Sequence, residues 1–304
     1  MSRILGISGK CIMACGLALA LLVPLESAQA TSFKVLHSFQ KRPDGEYPFG
    51  DLIADGAGNL YGTTDEGGSC RRFSCGTVFK LAPDGTETVL RSFPGGPRGF
   101  RPRAGLTADS AGNLYGTTSQ GGVVLSCSGG CGSVFKVTQS GRERVLYSFK
   151  GGAGDGSDPV ANLLADSAGN LYGTTYYGGG EGCSFGCGTV FKLTPGGSEA
   201  VLHSFCSQAN CADGSAPVAG LIADSAGNLY GTTAYGGGSA CGGSGCGTVF
   251  KLEPDGTETV LHSFNGGKDG EDPNAGLILS NGSLYGTATG GGVNHFGTVF
   301  RLTP

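Results

Sequence analysis

The sequence predicts an all-β fold, a five-bladed β-propeller of four-stranded antiparallel blades, from its repeat, its turn residues and its two ends. The stretch Asp-Ser-Ala-Gly-Asn-Leu-Tyr-Gly-Thr-Thr at 224–233 returns in five copies, centred on Tyr61, Tyr115, Tyr172, Tyr230 and Tyr285. Successive copies lie 54 to 58 residues apart, which is the range of one propeller blade. Because the repeat fills most of the 304 residues, we expect one propeller domain over residues 31–304.

Each repeat contains four short apolar segments separated by turn residues. In the fourth copy we predict strands over 217–224, 227–233, 247–252 and 257–264. Asp-Ser-Ala-Gly-Asn supplies the first turn and Pro-Asp-Gly the third, as expected where φ must be positive or preset. Connections this short predict an antiparallel meander.

The two ends of the chain complement each other. Residues 32–39 have the pattern of an outer strand with no blade before it, whereas the last repeat stops after its third strand at Leu302. Pairing the two ends would complete a fifth blade and remove the open sheet edges. An open solenoid is the alternative, and it would leave both edges exposed.

Composition and charge limit the classes of partner. Sixty glycines and 13 prolines would suit a low-complexity chain, but the glycines fall at fixed repeat positions between apolar segments. The formal net charge of −4 gives no general attraction to polyanions, so we expect no nucleic-acid partner. The glycine runs at 178–180 and 236–238 precede no helical pattern, so we expect no nucleotide site and no cofactor.

The first thirty residues have the pattern of a cleaved signal peptide. Arg3 and Lys10 precede an apolar run over 11–25, and Ala28 and Ala30 form an A-x-A end. We therefore expect a secreted or periplasmic monomer with no membrane span after cleavage. An uncleaved anchor is the alternative, although the apolar run is short for a spanning helix.

The cysteines beyond this leader form five close pairs, which we predict to be local disulfides because an exported chain meets an oxidising compartment. The pairs are Cys70/Cys75, Cys127/Cys131, Cys183/Cys187, Cys206/Cys211 and Cys241/Cys246. A metal site would need two pairs to converge. We expect pairs on separate blades to lie too far apart, and we predict no metal.

The repeat pattern D-x-x-G-N-L-Y-G-T-T, G-T-V-F-K-L-x-P-x-G and V-L-H-S-F resembles the GloVer tandem repeat of exported bacterial proteins. The resemblance covers essentially all of the mature chain. It implies an exported repeat protein without an assigned activity, and its relatives often carry a C-terminal sorting or anchoring module. This chain ends at Pro304, directly after a strand, so we expect a protein without a surface anchor.

Acidic and histidine residues recur at fixed positions, and we expect structural roles for them. Asp55, Asp109, Asp166 and Asp224 begin tight turns, although paired carboxylates would also suit a glycosidase. A second acidic set, expected to be solvated, follows the outer strands at Asp44, Glu46, Asp155, Asp158, Asp213, Asp269, Glu271 and Asp272. His37, His203 and His262 share one strand position with Arg91 and Tyr147, which favours an outer surface. We predict no catalytic residue.

The candidate binding site lies on the face that carries the long, variable loops. There the sequence predicts a basic, aromatic patch of Arg71, Arg72, Phe73, Phe100, Arg101 and Arg103, and tyrosines for stacking at Tyr176, Tyr177 and Tyr235. Guanidinium groups suit anions, so we expect an anionic glycan or a protein partner. A carbohydrate-active or lyase-type enzyme and a structural envelope protein remain the alternatives to a non-catalytic binding module.

Overall fold

The computed structural model describes residues 32–40, 42–69, 75–123, 126–180 and 182–304. The chain divides into two units, Met1–Val35 and Leu36–Pro304, and the second carries every strand given below. The predicted signal peptide, residues 1–30, lies outside the described residues. Helical structure in the described part consists of three-residue 3-10 turns at Gly96–Arg98, Ala209–Cys211 and Cys241–Gly243. No described helix has the length and apolar character needed to cross a membrane.

Short antiparallel strands build five consecutive repeats. Sheets of four strands form in each of the first four repeats, and the fifth repeat has a sheet of three strands. In chain order the strands are β1 Gly45–Glu46, β2 Ile53–Ala54, β3 Leu60–Thr64, β4 Glu66–Gly67, β5 Thr77–Leu81, β6 Glu87–Ser92, β7 Thr107–Ala108, β8 Leu114–Thr118, β9 Ser133–Val137, β10 Glu143–Ser148, β11 Gly156–Ser157, β12 Leu164–Ala165, β13 Leu171–Thr175, β14 Tyr177–Gly178, β15 Thr189–Leu193, β16 Glu199–Ser204, β17 Ile222–Ala223, β18 Leu229–Thr233, β19 Thr248–Leu252, β20 Glu258–Ser263, β21 Ile278–Ser280, β22 Ser283–Ala288 and β23 Thr298–Leu302. The predicted all-β fold of four-stranded antiparallel sheets is confirmed.

The glycine of the Leu-Tyr-Gly-Thr-Thr strand makes room for a core side chain. In the third repeat Gly173 of β13 pairs with Phe191 of β15. A Cβ added to Gly173 would lie 2.6 Å from the Phe191 ring, so any larger residue would displace that ring. The fully buried Phe191 ring then reaches the previous repeat, where it meets Phe149 edge to face at 5.1 Å between centroids.

Successive sheets pack on each other through this phenylalanine pair, which recurs at the four junctions between sheets, and Phe39 of the N-terminal segment makes the same contact with the first sheet. The five pairs are Phe39–Phe79, Phe93–Phe135, Phe149–Phe191, Phe205–Phe250 and Phe264–Phe300, with centroids 4.9 to 5.2 Å apart. In each of the first four repeats a threonine of the strand with the Leu-Tyr-Gly-Thr-Thr sequence donates a hydrogen bond to the backbone of the next repeat, for example from Thr174 Oγ1 to the carbonyl of Ala219 at 3.2 Å. The hydrophobic core therefore lies between sheets.

An aspartate closes the first turn of a repeat, as the sequence predicts. Asp166 accepts hydrogen bonds from the backbone N–H groups of Ala168 and Asn170, from the Asn170 side chain and from the Tyr172 hydroxyl, at 2.7 to 3.1 Å. Asp55, Asp109 and Asp224 accept the same set. Partial burial opposes ionisation, but these hydrogen bonds outweigh it and lower the pKa of Asp166.

We expect the Asp166→Ala variant to be less stable by about 1–2 kcal/mol, because it leaves several donors of one turn without their acceptor. Denaturant unfolding followed by circular dichroism measures the loss. Asp84→Ala is the matched control, since Asp84 accepts from the Thr86 N–H group in an exposed turn and should cost less. Equal losses in the two variants would contradict the importance of the extended aspartate turn.

The predicted closure between the chain ends is not seen in this structure. Residues 32–39 form no strand, and the fifth sheet ends at β23. Val299 of β23 is 83% exposed, whereas Val249, at the same position in the fourth repeat, is fully buried. Leu52 in the first repeat is 53% exposed, whereas its counterpart Leu106 is 3% exposed. The outward faces of the first and fifth repeats therefore carry uncovered halves of the apolar interface found at the other junctions.

Candidate functional site

Several loops that follow an outer strand are organised by a buried aspartate. Asp155, which is 4% exposed, accepts from the Tyr147 hydroxyl and from the backbone N–H groups of Lys150 and Gly156 at 2.6 to 2.8 Å. Asp213 is fully buried and accepts from Ser207 and Gln208. The expectation that these carboxylates are solvated is wrong for this pair, because each replaces water with hydrogen bonds from its own loop.

The strand position shared by histidine, arginine and tyrosine is half-buried, not an outer surface as the sequence suggested. Arg91 forms an ion pair with Glu143 of the next repeat, and His203 lies 3.3 Å from the Asp213 carboxylate. In each four-stranded sheet, the glutamate that begins the outer strand interacts with this position of the preceding outer segment. The pairs are Glu87 with His37, Glu143 with Arg91, Glu199 with Tyr147 and Glu258 with His203. Polar contacts between neighbouring repeats explain the recurrence of these residue types.

Two of these glutamates hold their protons unusually strongly. Burial and, to a smaller extent, the nearby Asp155 carboxylate together raise the pKa of Glu199 to about 7. Burial also raises the pKa of Glu258 to about 7, where His203 opposes the shift and Asp213 supports it. Both lie between repeats, so their titration concerns the stability of the fold more than the chemistry of the loops.

One residue in each connecting loop has a left-handed backbone although it is not glycine. These residues are Tyr47, Arg101, Asp158, Ala216 and Asp272, with φ between 54° and 59°, and each precedes a proline. Such a conformation is costly for a residue with a Cβ, and a following proline disfavours the helical region. Strained backbone of this kind is common at binding sites, so these five positions mark candidate site loops.

The cysteine loops hold four of these left-handed residues in place. The N–H of Arg101 donates to the carbonyl of Cys75, and the N–H of Asp158 donates to that of Cys131, at 3.1 and 3.0 Å. Ala216 and Asp272 make the same contact with Cys187 and Cys246. The second cysteine of a pair therefore supports the neighbouring loop through its backbone.

Two of the predicted arginines border a cavity of about 650 Å³. Arg101 Nη2 lies 2.6 Å from Glu66 Oε1, and Arg103 Nε lies 3.1 Å from Asp65 Oδ1. Tyr47 and Phe49 line the same cavity, together with Val160. The structure brings the predicted arginines together, and it pairs each with a carboxylate that the sequence analysis did not include in the patch.

The aromatic rings of this cavity lie side by side. The Tyr47 and Phe49 rings are nearly parallel, with an interplanar angle of 21° and centroids 6.4 Å apart, and the two residues are 57% and 68% exposed. Sequence reasoning missed both residues, and it missed Asp65 and Glu66. The available signal for Tyr47 was its position before Pro48, which matches Arg101 before Pro102 in the next repeat.

One of the three predicted tyrosines lines a second cavity, of about 850 Å³. Tyr177 lines this cavity beside Phe185, which is 76% exposed. Tyr176 contacts Tyr177 edge to face at 4.4 Å between centroids. Tyr235, which is 41% exposed, borders a smaller cavity of about 340 Å³.

The remaining predicted patch residues are divided between the core and the undescribed part of the chain. Phe100 is half-buried, packs against the core between the first two sheets and pairs through its backbone with Gln120. Arg71, Arg72 and Phe73 lie outside the described residues, as does Cys70. The described part of the patch therefore consists of Arg101 and Arg103.

Four of the predicted disulfides are present in the described residues. They join Cys127 to Cys131, Cys183 to Cys187, Cys206 to Cys211 and Cys241 to Cys246, and Cys75 is also disulfide-bonded. We expected cysteine pairs on separate blades to lie too far apart to form a metal site. Two pairs of the third repeat do converge, with all four sulfurs within 4.8 Å of one another.

Solved structures similar to this chain are β-propeller-like. A proposed gluconolactonase matches with a TM-score of 0.44 and 14% identity, over 82% of this chain and 73% of its own. A puromycin hydrolase in complex with PGG matches with a TM-score of 0.50 and 14% identity, over 83% of this chain and 35% of its own. A luciferin-regenerating enzyme gives 0.40 and 15%, over 86% and 92%. At these identities the likeness concerns the fold alone.

Comparison with protein families gives a match in sequence. No curated protein matches the chain. The Gloeobacter/Verrucomicrobia repeat matches residues 25–183 and 180–304, which together span nearly the whole sequence. This agrees with the tandem-repeat resemblance seen in the strand and turn motifs, and the chain belongs to the Gloeobacter/Verrucomicrobia repeat family.

Proposed function

We propose that this chain is an exported, propeller-type binding protein that holds a saccharide in the cavity bordered by Arg101 and Arg103. The observation that carries the proposal is the combination of two parallel, exposed aromatic rings with two arginine–carboxylate pairs in one cavity of about 650 Å³. Cavities of this size hold small ligands, and a few fixed polar groups among apolar walls give them specificity.

The chemistry of these side chains suits a sugar ring. The apolar faces of a pyranose can pack on Tyr47 and Phe49, while the guanidinium groups donate to hydroxyls and the carboxylates accept from them. Asp65 and Glu66 balance the formal charge of Arg101 and Arg103, so the described residues that line this cavity carry no excess positive charge. We therefore favour a neutral saccharide over the anionic glycan that the sequence suggested.

We expect neutral oligosaccharides to raise the melting temperature of the full chain, and the Arg103→Ala and Phe49→Ala variants to lose this response. A ligand at one hundred times its dissociation constant stabilises by about 2.7 kcal/mol. Thermal-shift titration with neutral oligosaccharides, anionic oligosaccharides and sugar phosphates measures the effect. Neither substituted residue has the left-handed backbone of Arg101, so neither variant introduces strain at that position.

The matched control is Arg144→Ala, which removes an exposed arginine from the outer strand β10. It should bind as the unmodified chain does. A shift with anionic ligands alone, reduced by salt, would replace the neutral saccharide with an anion. No shift with any ligand, or a response that Arg103→Ala and Phe49→Ala both retain, would refute this cavity as the site and favour a protein partner.

One observation favours an enzyme as the second candidate. Burial raises the pKa of Asp158, against the opposing effect of the Arg103 guanidinium, and burial beside Tyr177 raises the pKa of Tyr176. A carboxyl group with a raised pKa holds its proton to a higher pH than an exposed aspartate, as general acids in glycoside cleavage or elimination do. Mass analysis of the saccharides after incubation separates the two functions. Products that Asp158→Asn no longer forms would establish the enzyme, whereas unchanged saccharides support the binding module.

The proposal includes closure of the five repeats into a ring. Its support is the pair of uncovered apolar faces around Leu52 and Val299, whose counterparts in the other repeats are buried. The face around Val299 corresponds to one half of the apolar interface found between other repeats, and the face around Leu52 corresponds to the other half. Joining them would also shield the edge of β23 from other chains. The segment 36–39 already places Phe39 against Phe79 as an outer strand of a preceding blade would.

We expect the Val299→Asp variant to be destabilised by about as much as Val249→Asp, which places a charge in a fully buried site and should cost several kcal/mol. Chemical unfolding of the two variants gives the comparison, and light scattering gives the mass. A Val299→Asp monomer of unchanged stability would show that this face stays open. A dimer of the unmodified chain that dissociates in the variant would assign the face to a second copy.

Export to an oxidising compartment is the last part of the proposal. The leader pattern before Thr31 and the four described disulfides support it, since such bonds persist outside the reducing cytosol. N-terminal sequencing of the mature protein tests the cleavage site.

A further inference from the structure

Two disulfides of the third repeat lie side by side. Cys183 and Cys187 belong to the loop between β14 and β15, and Cys206 and Cys211 belong to the loop after β16. The four sulfur atoms all lie within 4.8 Å of one another. In the sequence, the loop after β16 contains a cysteine pair, and the corresponding loops of the other repeats contain none. The arrangement is therefore specific to the third repeat.

The surrounding backbone is shaped to allow this close approach. A Cβ added to Gly182 would lie 2.6 Å from the sulfur of Cys206, so a glycine at this position lets the two loops meet. Cys206, Asn210 and Cys211 have left-handed φ values of 60°, 57° and 48°. This conformation is unfavourable for a residue with a Cβ, and the buried Asp213 offsets its cost by accepting hydrogen bonds from the same loop.

We propose that Cys183, Cys187, Cys206 and Cys211 form a tetrathiolate site for a soft divalent metal ion of the zinc class when both disulfides are reduced. Zinc–sulfur bonds of about 2.3 Å place tetrahedral sulfurs about 3.8 Å apart, which lies within the observed limit of 4.8 Å. Three residues separate the first pair and four the second, as is common in structural zinc sites.

The burial of the sulfurs suits a structural metal site. Cys187 is 2% exposed, and the other three cysteines are half-buried. Cys183 and Cys206 pack against the core between the third and fourth sheets. A bound metal ion would therefore be shielded from bulk water, while the half-buried disulfides remain accessible to a small reductant. This site is remote in sequence from Arg101 and Arg103, and the proposal does not depend on saccharide binding.

The redox step requires an external dithiol. Each disulfide takes up two electrons and two protons and becomes two thiols, while one dithiol molecule is oxidised to its own disulfide. The metal ion then binds four thiolates and releases four protons. Oxidation by a small disulfide, which takes up two electrons and two protons for each cysteine pair and becomes a dithiol, re-forms both protein disulfides and releases the metal. The site would therefore exchange a bound ion for two disulfides as the redox state changes.

Cobalt(II) is the probe for this site. The full chain is reduced anaerobically with a dithiol, freed of the reductant by gel filtration and titrated with Co²⁺ alone. We expect one Co²⁺ per chain with the visible bands of a tetrahedral sulfur site, which Zn²⁺ then displaces. The oxidised chain should give no such bands.

Two matched variants identify the ligands. Cys206→Ser/Cys211→Ser should lose the tetrahedral spectrum, whereas Cys127→Ser/Cys131→Ser removes a pair of the same spacing as Cys183/Cys187 and should retain it. The measurement is repeated in denaturant, where a site built by the fold should disappear. A spectrum that survives in Cys206→Ser/Cys211→Ser, or a reduced chain that stays folded by circular dichroism without binding Co²⁺, would overturn the proposal. Loss of the folded state on reduction, not restored by Co²⁺, would do the same.

Discussion

Replacing Phe205 with alanine should lower the free energy of unfolding by about 3–5 kcal/mol, the usual cost of removing a buried phenyl ring. Phe205 is fully buried after β16 and meets Phe250 of the next repeat edge to face, at 5.1 Å between centroids. The variant therefore loses both buried apolar area and an aromatic pair, and it leaves a cavity between two sheets.

Denaturant unfolding measures this loss, and hydrogen exchange locates it. Because each repeat packs mainly on its neighbours, exchange should increase first in β15 and β19, on either side of the cavity. Phe185→Ala is the control, since that ring is 76% exposed and should cost under about 0.5 kcal/mol. A Phe205→Ala chain as stable as the control would show that contacts between sheets do not hold the fold together.

The strands and turns could be predicted from local sequence because their causes are local. Asp166 and the Asn170–Tyr172 segment that it binds lie within seven residues. Short runs of apolar, aromatic and β-branched residues between turn residues identify β13 and β15. The two-residue length of strands such as β12 could not be predicted. It depends on where the partner strand twists away, which no local pattern encodes.

The site was predicted only in part, because charge partners are set by the packing of loops. The sequence placed Arg101 and Arg103 on the loop face, but Asp65 and Glu66 lie more than thirty residues earlier and meet them only in the folded chain. Likewise, Asp213 belongs to a polar loop, and nothing in that loop indicates complete burial. Contacts between residues distant in sequence therefore determine both the charge of the site and the burial of the loop carboxylates.

Raising the pH from 5 to 8 should destabilise the protein, with a fall of roughly 5–10 °C in the melting temperature. Glu199 and Glu258 have pKa values of about 7 in the folded chain, against an ordinary value of 4.5. Both carboxyl groups lie between repeats, where burial favours the neutral form. The unfolded chain has no such burial, so it releases these protons at lower pH.

The sign follows from the raised values. A carboxyl group with a higher pKa in the folded state contributes its full stabilisation below the unfolded pKa, and this is lost as the pH rises through about 7. A full pKa unit corresponds to roughly 1.4 kcal/mol. The shift from 4.5 to about 7 is about 2.5 units for each group, or roughly 3.4 kcal/mol. Both side chains keep some exposure, so we take about half of this energy, which gives about 3 kcal/mol for the two groups together between pH 5 and pH 8.

Substitution by glutamine tests the assignment, because glutamine keeps the shape of a protonated glutamate and cannot ionise. Each of Glu199→Gln and Glu258→Gln should remove about half of the loss between pH 5 and pH 8, and the double variant should remove most of it. Asp84→Asn is the control, since backbone hydrogen bonds from Thr86 lower the pKa of Asp84 and keep its titration below this window. A double variant with the full pH dependence of the unmodified chain would show that other groups are responsible. In that case the half-buried glutamates would be ionised in the folded state, held by the histidine and tyrosine of the preceding repeat.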